Sequence, residues 1–364
     1  MVNSPNQKSV SITLSIIIPC FNEEKTIETC IGRVREIADE NLALEIIIVD
    51  DFSSDRSLTI AHELAKKYQE ISVLCHNTNQ GKGAALRTGF KNANGDFITI
   101  QDADLEYDPI DLKRLLKPLI ENDADVVLGS RFLSYGAHRV LYFWHYLGNR
   151  FLTLLSNIFT DLNLTDIETC YKVFRRDVIQ KIEISENRFG VEPEIVAKIS
   201  HMKLRIYEMG ISYYGRTYEE GKKIGYKDGI RAIYCIIRYN AYQAPLPIKV
   251  LFYALIGGMA AVVNYILFIS MISNDWSITM AAPTAFVIAA ILNYYLCILL
   301  LFRHKVRWSS ATETLLFLLI VASGGVLDLV ITKLFFLSGY SPQISKIVAT
   351  ALVFIFNFVG RNYI

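Results

Sequence analysis

Beyond Pro247 the chain becomes four long apolar stretches, Val250–Ser273, Met280–Phe302, Leu315–Leu337 and Ile344–Val359, parted by short connectors. A helix needs roughly 20 apolar residues to cross a bilayer, where its backbone groups must satisfy one another internally. Each stretch approaches that length, the fourth when Asn357 and its neighbours reach the interface. An all-α, four-helix transmembrane domain is therefore expected here. It accounts for the 52% of hydrophobic residues in a chain of 364. The connector Arg303-His304-Lys305-Val306-Arg307 is strongly basic, and Arg361 follows the last span. Cationic segments stay on the cytoplasmic side, and four spans return the chain to the side it left. The expectation is a multi-pass integral membrane protein, held in the lipid bilayer, with its N-terminal part in the cytoplasm.

Met1–Ser11 is polar and has no apolar h-region, so a flexible start without a cleaved signal peptide is expected. Cys20, Cys30, Cys75, Cys170, Cys235 and Cys297 form no Cys-x-x-Cys pair, and in a reducing compartment they read as free packing thiols. The 37 basic and 36 acidic residues nearly cancel, which argues against a nucleic-acid partner.

Before the spans, short apolar runs alternate with amphipathic segments. Leu14–Ile18, Glu45–Val49, Ile71–Cys75, Phe97–Gln101 and Val126–Leu128 read as strands; Glu24–Ala38, Arg56–Tyr68, Lys82–Asn92 and Asp108–Glu121 read as helices. That alternation predicts a doubly wound α/β domain with a largely parallel sheet, in which ligands bind beyond the carboxyl ends of the strands. The expected boundaries are residues 1–11 for the flexible start, 12–228 for the α/β domain, 229–247 for an interfacial helix and linker, and 248–364 for the membrane domain.

Chemistry-bearing residues fall at those strand ends. The fourth strand leads into Asp102-Ala103-Asp104-Leu105-Glu106. Alternate residues of a strand share a face, so Asp102 and Asp104 are expected to point the same way. Their hard oxygens suit Mg2+ or Mn2+, which complete their shells with phosphate and water. An Asp-rich turn is the alternative reading. The first strand ends in Pro19-Cys20-Phe21-Asn22-Glu23 and the second in Asp50-Asp51-Phe52-Ser53-Ser54-Asp55, so three strands deliver carboxylates to one edge. Repulsion among them requires cations or donors nearby. Gly81-Lys82-Gly83 opens a helix without Walker spacing; it suits a phosphate, or is simply a helix start.

In joint order these motifs, together with Gly129-Ser130-Arg131-Phe132, Thr165–Lys172, Phe189–Glu194 and Tyr214–Ile224, resemble the inverting family 2 glycosyltransferases of the GT-A fold. The likeness is to the dolichol-phosphate (polyprenyl-phosphate) mannose or glucose synthase type. The resemblance implies a nucleotide pocket lined by Pro19, Phe21, Glu23 and Asp50, with Lys82, Asp102 and Ala103 towards the nucleotide. It implies a metal at Asp104, where relatives often read Asp-Ala-Asp-Leu-Gln and this chain supplies Glu106 instead. The implied donor is GDP-mannose or UDP-glucose, with mannose slightly ahead, and the implied acceptor is a polyprenyl or dolichyl phosphate.

Such an acceptor must approach a diphosphate leaving group, so cations are needed. Arg131, Arg150, Arg216 and Lys222 are the candidates, Arg131 and Arg216 with the strongest motif support. Arg150 and Lys222 read equally well as a surface for anionic lipid. A lipid phosphate is already ionised, so no obligatory base is assigned. Glu192 and Glu194 match the motif either as support for an acceptor loop or, the preferred reading, as structural hydrogen-bonding groups. Gly229–Tyr242 and Val140–Phe159 read as interfacial amphipathic helices. The spans resemble GtrA-like domains through Asn264, Asn293, Asp328 and Asn357, and Asp328 and Lys333 are unusual inside apolar helices. Such a domain anchors and oligomerises the enzyme or moves its lipid product. A transporter or scaffold with a nucleotide-sugar-sensing domain is the competing reading.

Overall fold

The computed structural model describes residues 12–133, 139–140, 142–216, 225–300 and 310–363. The flexible start at 1–11, Lys222 and the basic connector 303–307 lie outside the described residues. The chain divides into two compact units, Met1–Asn240 and Ala241–Ile364.

The first unit is a seven-stranded sheet flanked by helices. Its elements are β1 (Ile12–Cys20), α1 (Ile27–Arg35), β2 (Leu42–Asp50), α2 (Ser57–Lys67), β3 (Ile71–Cys75), α3 (Lys82–Asn92), β4 (Phe97–Ile100), α4 (Ile110–Ile120) and β5 (Val126–Ser130). There follow α5 (Phe143–Thr160), β6 (Lys172–Arg175), the one-turn α6 (Arg176–Ile179), α7 (Val191–Ser200), β7 (Ile206–Gly210) and α8 (Tyr226–Asn240). The strand order is β3-β2-β1-β4-β6-β5-β7. Leu14, Ile16, Ile17 and Ile18 of β1 are wholly buried, as a central strand covered on both faces must be. The order reverses between β1 and β4, which opens the crevice where such sheets bind ligands. Cys20 pairs in register with Asp50, and Asp50 with Cys75, so the carboxyl ends of these strands finish level.

The five strands and four helices expected from periodicity are all present. The difference is β6, which enters antiparallel between β4 and β5, with Thr99 opposite Val173 and Leu128 opposite Lys172. Because β6 runs backwards, its first residue and the loop before it lie at the same edge as the ends of β1, β2 and β4. The outer β5–β7 pair is parallel, and Arg205 clamps its start: the Arg205 Nη2 and Nε atoms meet the two oxygens of Asp125 at 2.7 and 3.1 Å.

The segments read as interfacial helices are α5 and α8. On α8, Cys235, Ile236 and Tyr239 are buried, Cys235 and Tyr239 with Ala197 of α7, while Ile230 and Tyr234 stay exposed. On α5, Trp144, Leu147, Phe151, Leu154 and Ile158 are exposed at helical spacing.

The second unit comprises α9 (Leu246–Ser273), α10 (Ile278–Leu300), α11 (Ser310–Leu337) and α12 (Pro342–Tyr363), each packed on the next and α12 back on α9. Pro245 and Pro247 mark the start of α9, where proline's missing N–H costs nothing. Among the described residues, Leu246–Ser273 and Ile278–Leu296 are long and apolar enough to cross a membrane, and Pro342–Phe354 is a shorter apolar helix. A Cβ on Gly257 would collide with the Phe354 ring, so this glycine lets α9 and α12 approach. Asp328 on α11 pairs with Lys346 on α12, not with Lys333, and both members are wholly buried. Lys346 falls inside the apolar stretch Ile344–Val359, where its partner on the preceding helix is not legible from spacing.

The Asp125–Arg205 clamp carries a pH signature. The Arg205 hydrogen bonds hold the Asp125 carboxyl at about 2, below the roughly 3.9 of a free aspartate. Folding thus favours the carboxylate, and the contribution is complete above about pH 4 and fades as pH falls towards 2. In thermal melts of the full chain, the deficit of Arg205→Ala relative to wild type should be full near about pH 6 and smaller near about pH 3.

Candidate active site

The ends of β1 and β2 are knitted by short hydrogen bonds. Asn22, at φ 55°, accepts from the Ser54 N–H at 2.8 Å and donates its own N–H to Ser53 Oγ at 3.0 Å. Asparagine tolerates this left-handed backbone better than most residues. The Glu23 N–H reaches Ser57 Oγ at 2.8 Å. Asp50 accepts the Ser53 N–H on Oδ2 at 3.0 Å, while its Oδ1 is buried without a donor. A buried acceptor left open at the end of β2 is what a nucleoside N–H or O–H would satisfy. Pro19 lies in β1 opposite Val49, and Phe21 just beyond is 42% exposed.

Asp51, by contrast, is fully occupied. It takes His76 Nδ1 at 2.7 Å and the N–H groups of Gln80 and Gly81 at 2.9 and 2.6 Å; His76 Nε2 rests on Thr88 at 2.9 Å. This fixes the turn ahead of α3. A Cβ on Gly81, at φ 96°, or on Gly83 would strike the backbone at Asn187 and Glu186. The two glycines thus serve chain-to-chain approach, and the Gly81 N–H is already spent on Asp51. Lys82 between them reaches Asp102 Oδ1 and Glu192 Oε1, both at 2.9 Å.

The acidic run lies beyond β4 and not on it, which corrects the expectation drawn from strand alternation. β4 ends at Ile100, and the chain then turns, with Leu105 at φ 64°. The carboxylates diverge: Asp102 faces Lys82, while Asp104 meets Arg216 Nη2 at 2.6 Å. Glu106 accepts Arg216 Nε at 2.9 Å and Tyr213 Oη at 2.8 Å. Burial, with Asp102 and Glu106 close by, pushes the Asp104 carboxyl up to about 7 despite Arg216. The pocket therefore holds more negative charge than its arginine offsets, and an added cation fits. Asp104 and Glu106 are the carboxylates that could hold Mg2+ or Mn2+ here, both now paired with Arg216. Among the described residues no three His, Cys, Asp or Glu groups converge on a metal position. Two carboxylates with phosphate oxygens and water is a usual Mg2+ shell.

Arg131 is buried and clamped. Its Nε and Nη2 meet Asp166 Oδ2 and Oδ1 at 2.7 and 2.8 Å, and its guanidinium lies 5.2 Å from the Tyr213 ring. The Arg131 guanidinium helps hold the wholly buried Asp166 below the usual carboxylate range. Arg150 sits exposed on α5, next to Asn149, whose Oδ1 is 3.4 Å from Arg131 Nη2. The structure thus pairs Lys82 with Asp102 and, separately, Arg216 with Asp104 and Glu106, holds Arg131 on Asp166, and leaves Arg150 outside the ion pairs described.

Sequence reasoning missed the layer beneath. Glu168 is half-buried beside Glu192, and desolvation together with that neighbour pushes its carboxyl up to about 8. Glu168 Oε1 and Glu192 Oε2 lack donors. Lys172, wholly buried, donates to the carbonyls of Ile167 and Thr169. The available signal was two charges of opposite sign, four apart, inside Asp166–Lys172. Glu194 is structural, accepting the Ser185 and Glu186 N–H groups at 2.7 Å each.

Removing one side of a buried, bidentate pair strands the other charge, at about 3–5 kcal/mol. Asp166→Ala should therefore lower the unfolding free energy by about that amount, read from denaturant melts. An unchanged midpoint would show that Arg131 is not dependent on this partner.

Two family matches cover most of the chain: residues 15–183 match "Glycosyl transferase family 2" and residues 252–364 match "GtrA/DPMS, transmembrane domain". The dolichol-phosphate mannosyltransferase of Pyrococcus furiosus is 24% identical over 355 residues, spanning 96% of this chain and 98% of the relative. The low-salt glycan biosynthesis hexosyltransferase of Haloferax volcanii is 29% identical, over 65% of this chain and 55% of its own length. A dolichyl-phosphate beta-glucosyltransferase of Trichomonas vaginalis is 27% identical, over 56% and 66%. Among solved structures, glucosyl-3-phosphoglycerate synthase from Mycobacterium tuberculosis in complex with UDP aligns at TM-score 0.50 and 17% identity, over 63% of this chain and 80% of that one, a likeness of fold. Residues 15–183 are therefore a family 2 glycosyltransferase domain, on a sheet of GT-A type, and residues 252–364 a GtrA/DPMS-type transmembrane domain.

Proposed function

We propose that this enzyme moves a hexose from a nucleoside diphosphate sugar to a polyprenyl or dolichyl phosphate, with inversion at the anomeric carbon. The observation that carries the reading is the pairing of every cation at the acidic turn with a carboxylate: Lys82 with Asp102 and Glu192, and Arg216 with Asp104 and Glu106. A diphosphate offers oxygens that compete for exactly such ammonium and guanidinium groups, so the pairs form a resting state that a donor reorganises. Asp50 Oδ1, open and buried, suits a donor group of the nucleoside. Lys82 and Arg216 would then turn to phosphate. Mg2+ or Mn2+, held by Asp104 and Glu106, would offset charge on the departing nucleoside diphosphate.

The acceptor phosphate is ionised at neutral pH and can attack in a single displacement, so no side chain need remove a proton. Arg216, Arg131, Arg150 and Lys222 are the proposed acceptor-phosphate contacts. Arg131 differs from Arg216 in that its fork meets a single, wholly buried carboxylate, Asp166, in bidentate fashion, which favours a fixed positive wall over a moving clamp. The exposed apolar residues of α5 and the Ile230 and Tyr234 face of α8 suit a lipid interface that brings the acceptor head to the site. Four spans with the catalytic unit in the cytoplasm follow from the charge of the 303–307 connector. Mannose stands slightly ahead of glucose, supported by the chain-length match to a mannosyltransferase. Mn2+ bound together with UDP in a fold neighbour supports a divalent ion.

The deciding assay gives the purified full chain a short polyprenyl phosphate, Mg2+ or Mn2+, and GDP-mannose or UDP-glucose in parallel. Transfer from one donor, reduced at least about 100-fold in Asp104→Asn, is the expected result. The anomeric configuration of the product, read by NMR, should be opposite to that of the donor. Nucleotide binding without transfer from either sugar would favour the transporter or scaffold reading.

A further inference from the structure

Among the helices of the membrane unit lies a half-open, largely apolar cleft into which a few polar side chains are set. Its volume is about 60 Å³, well above the roughly 10–15 Å³ that one water molecule requires. Asn264, Asn293, Asp328 and Thr350 form its polar wall, and Phe286 and Phe354 face them from the apolar side. Three of the four polar residues come from different helices, α9, α10 and α11, and Thr350 from α12, so the cavity is a property of the assembled bundle.

The hydrogen-bond inventory defines what fits. Asp328 gives Oδ2 to Lys346, and Asn264 donates Nδ2 to Thr350 Oγ1 at 3.4 Å. Asp328 is wholly buried and Asn264 is 3% exposed, yet Asp328 Oδ1 and Asn264 Oδ1 have no donor. Open acceptors in apolar surroundings are costly, and a bilayer offers nothing to relieve them. The missing group must therefore donate hydrogen bonds. It must also bring no negative charge, since the ammonium beside Asp328, that of Lys346, is already paired with it and lies 5.2 Å from the Phe268 ring.

We propose that this cavity is a binding site for hydroxyl groups inside the transmembrane bundle, filled by water or by a sugar hydroxyl of a glycolipid, and selective against phosphate. The site stands on the second unit alone and holds whether or not the first unit transfers a hexose.

Cysteine accessibility tests this in the full chain, reconstituted in lipid nanodiscs. Ala261→Cys on α9 and Ala290→Cys on α10 place a thiol on the cavity wall. Val262→Cys and Ile291→Cys, at residues 58% and 63% exposed on the outside of the bundle, are the controls. A cationic methanethiosulfonate reacts with the thiolate, forming a mixed disulfide and releasing methanesulfinate. A thiol ionises in water but not in hydrocarbon, so the cavity positions should label at least about tenfold faster than the controls. Peptide mass spectrometry separates the new cysteines from the native ones, and two positions on different helices guard against one variant failing to fold. Slowing by n-hexyl glucoside identifies a sugar hydroxyl as an occupant; fast labelling that the glucoside leaves unchanged identifies water alone. Both outcomes support the site. Labelling no faster than in the controls, or stronger protection by n-hexyl phosphate than by the glucoside, overturns it.

Discussion

Everything at the catalytic edge depends on one electrostatic constraint: several carboxylates crowd the carboxyl ends of parallel strands, and only a few cations hold them there. Lys82 bridges Asp102 and Glu192, while Arg216 bridges Asp104 and Glu106. Each cation comes from a segment distant in sequence from its partners, so the site assembles only when the whole sheet has formed. The compensation is incomplete, as the raised Asp104 and Glu168 carboxyls indicate. Crowded carboxylates and cations already shared between them are the setting in which the proposed nucleoside diphosphate and its metal would exchange partners.

The second unit solves a related problem by other means. Asp328 and Lys346 are both withdrawn from solvent and pair across α11 and α12. Such a pair adds little net stability, since desolvation consumes most of the attraction. Its plain effect is on register: a one-residue slip of α12 along α11 would leave two buried charges apart. The close approach at Gly257 and Phe354 fixes α9 against α12 in the same way, by shape instead of charge.

Much of this architecture is legible from the chain alone. The apolar runs of β1 and β2 and the carboxylates that end them mark both the strands and the edge where ligands bind, because parallel strands covered on two faces have few other appearances. The four helices of the second unit are equally plain from length and composition. What stays hidden has local causes. β6 is four residues long and runs antiparallel, so nothing in its composition announces that Glu168 and Lys172 arrive beneath Asp102. β4 stops at Ile100, so strand alternation no longer aims Asp102 and Asp104 to one side. Arg131 is readable as a cation, but its dependence on Asp166 requires the fold, since no spacing rule relates residues 35 apart.

The extent of the family 2 match, residues 15–183, has a consequence for the portability of this domain. Glu192, β7 and Arg216 all lie beyond it. A chain cut at the end of the match would keep the motifs at the ends of β1, β2 and β4, yet Lys82 would lose one of its two carboxylates and Asp104 and Glu106 their shared arginine. The loss of β7 would also turn β5 into a bare sheet edge, an invitation to pair with other chains. The unit that is recognisable and the unit that is self-sufficient are therefore different lengths of the same polypeptide.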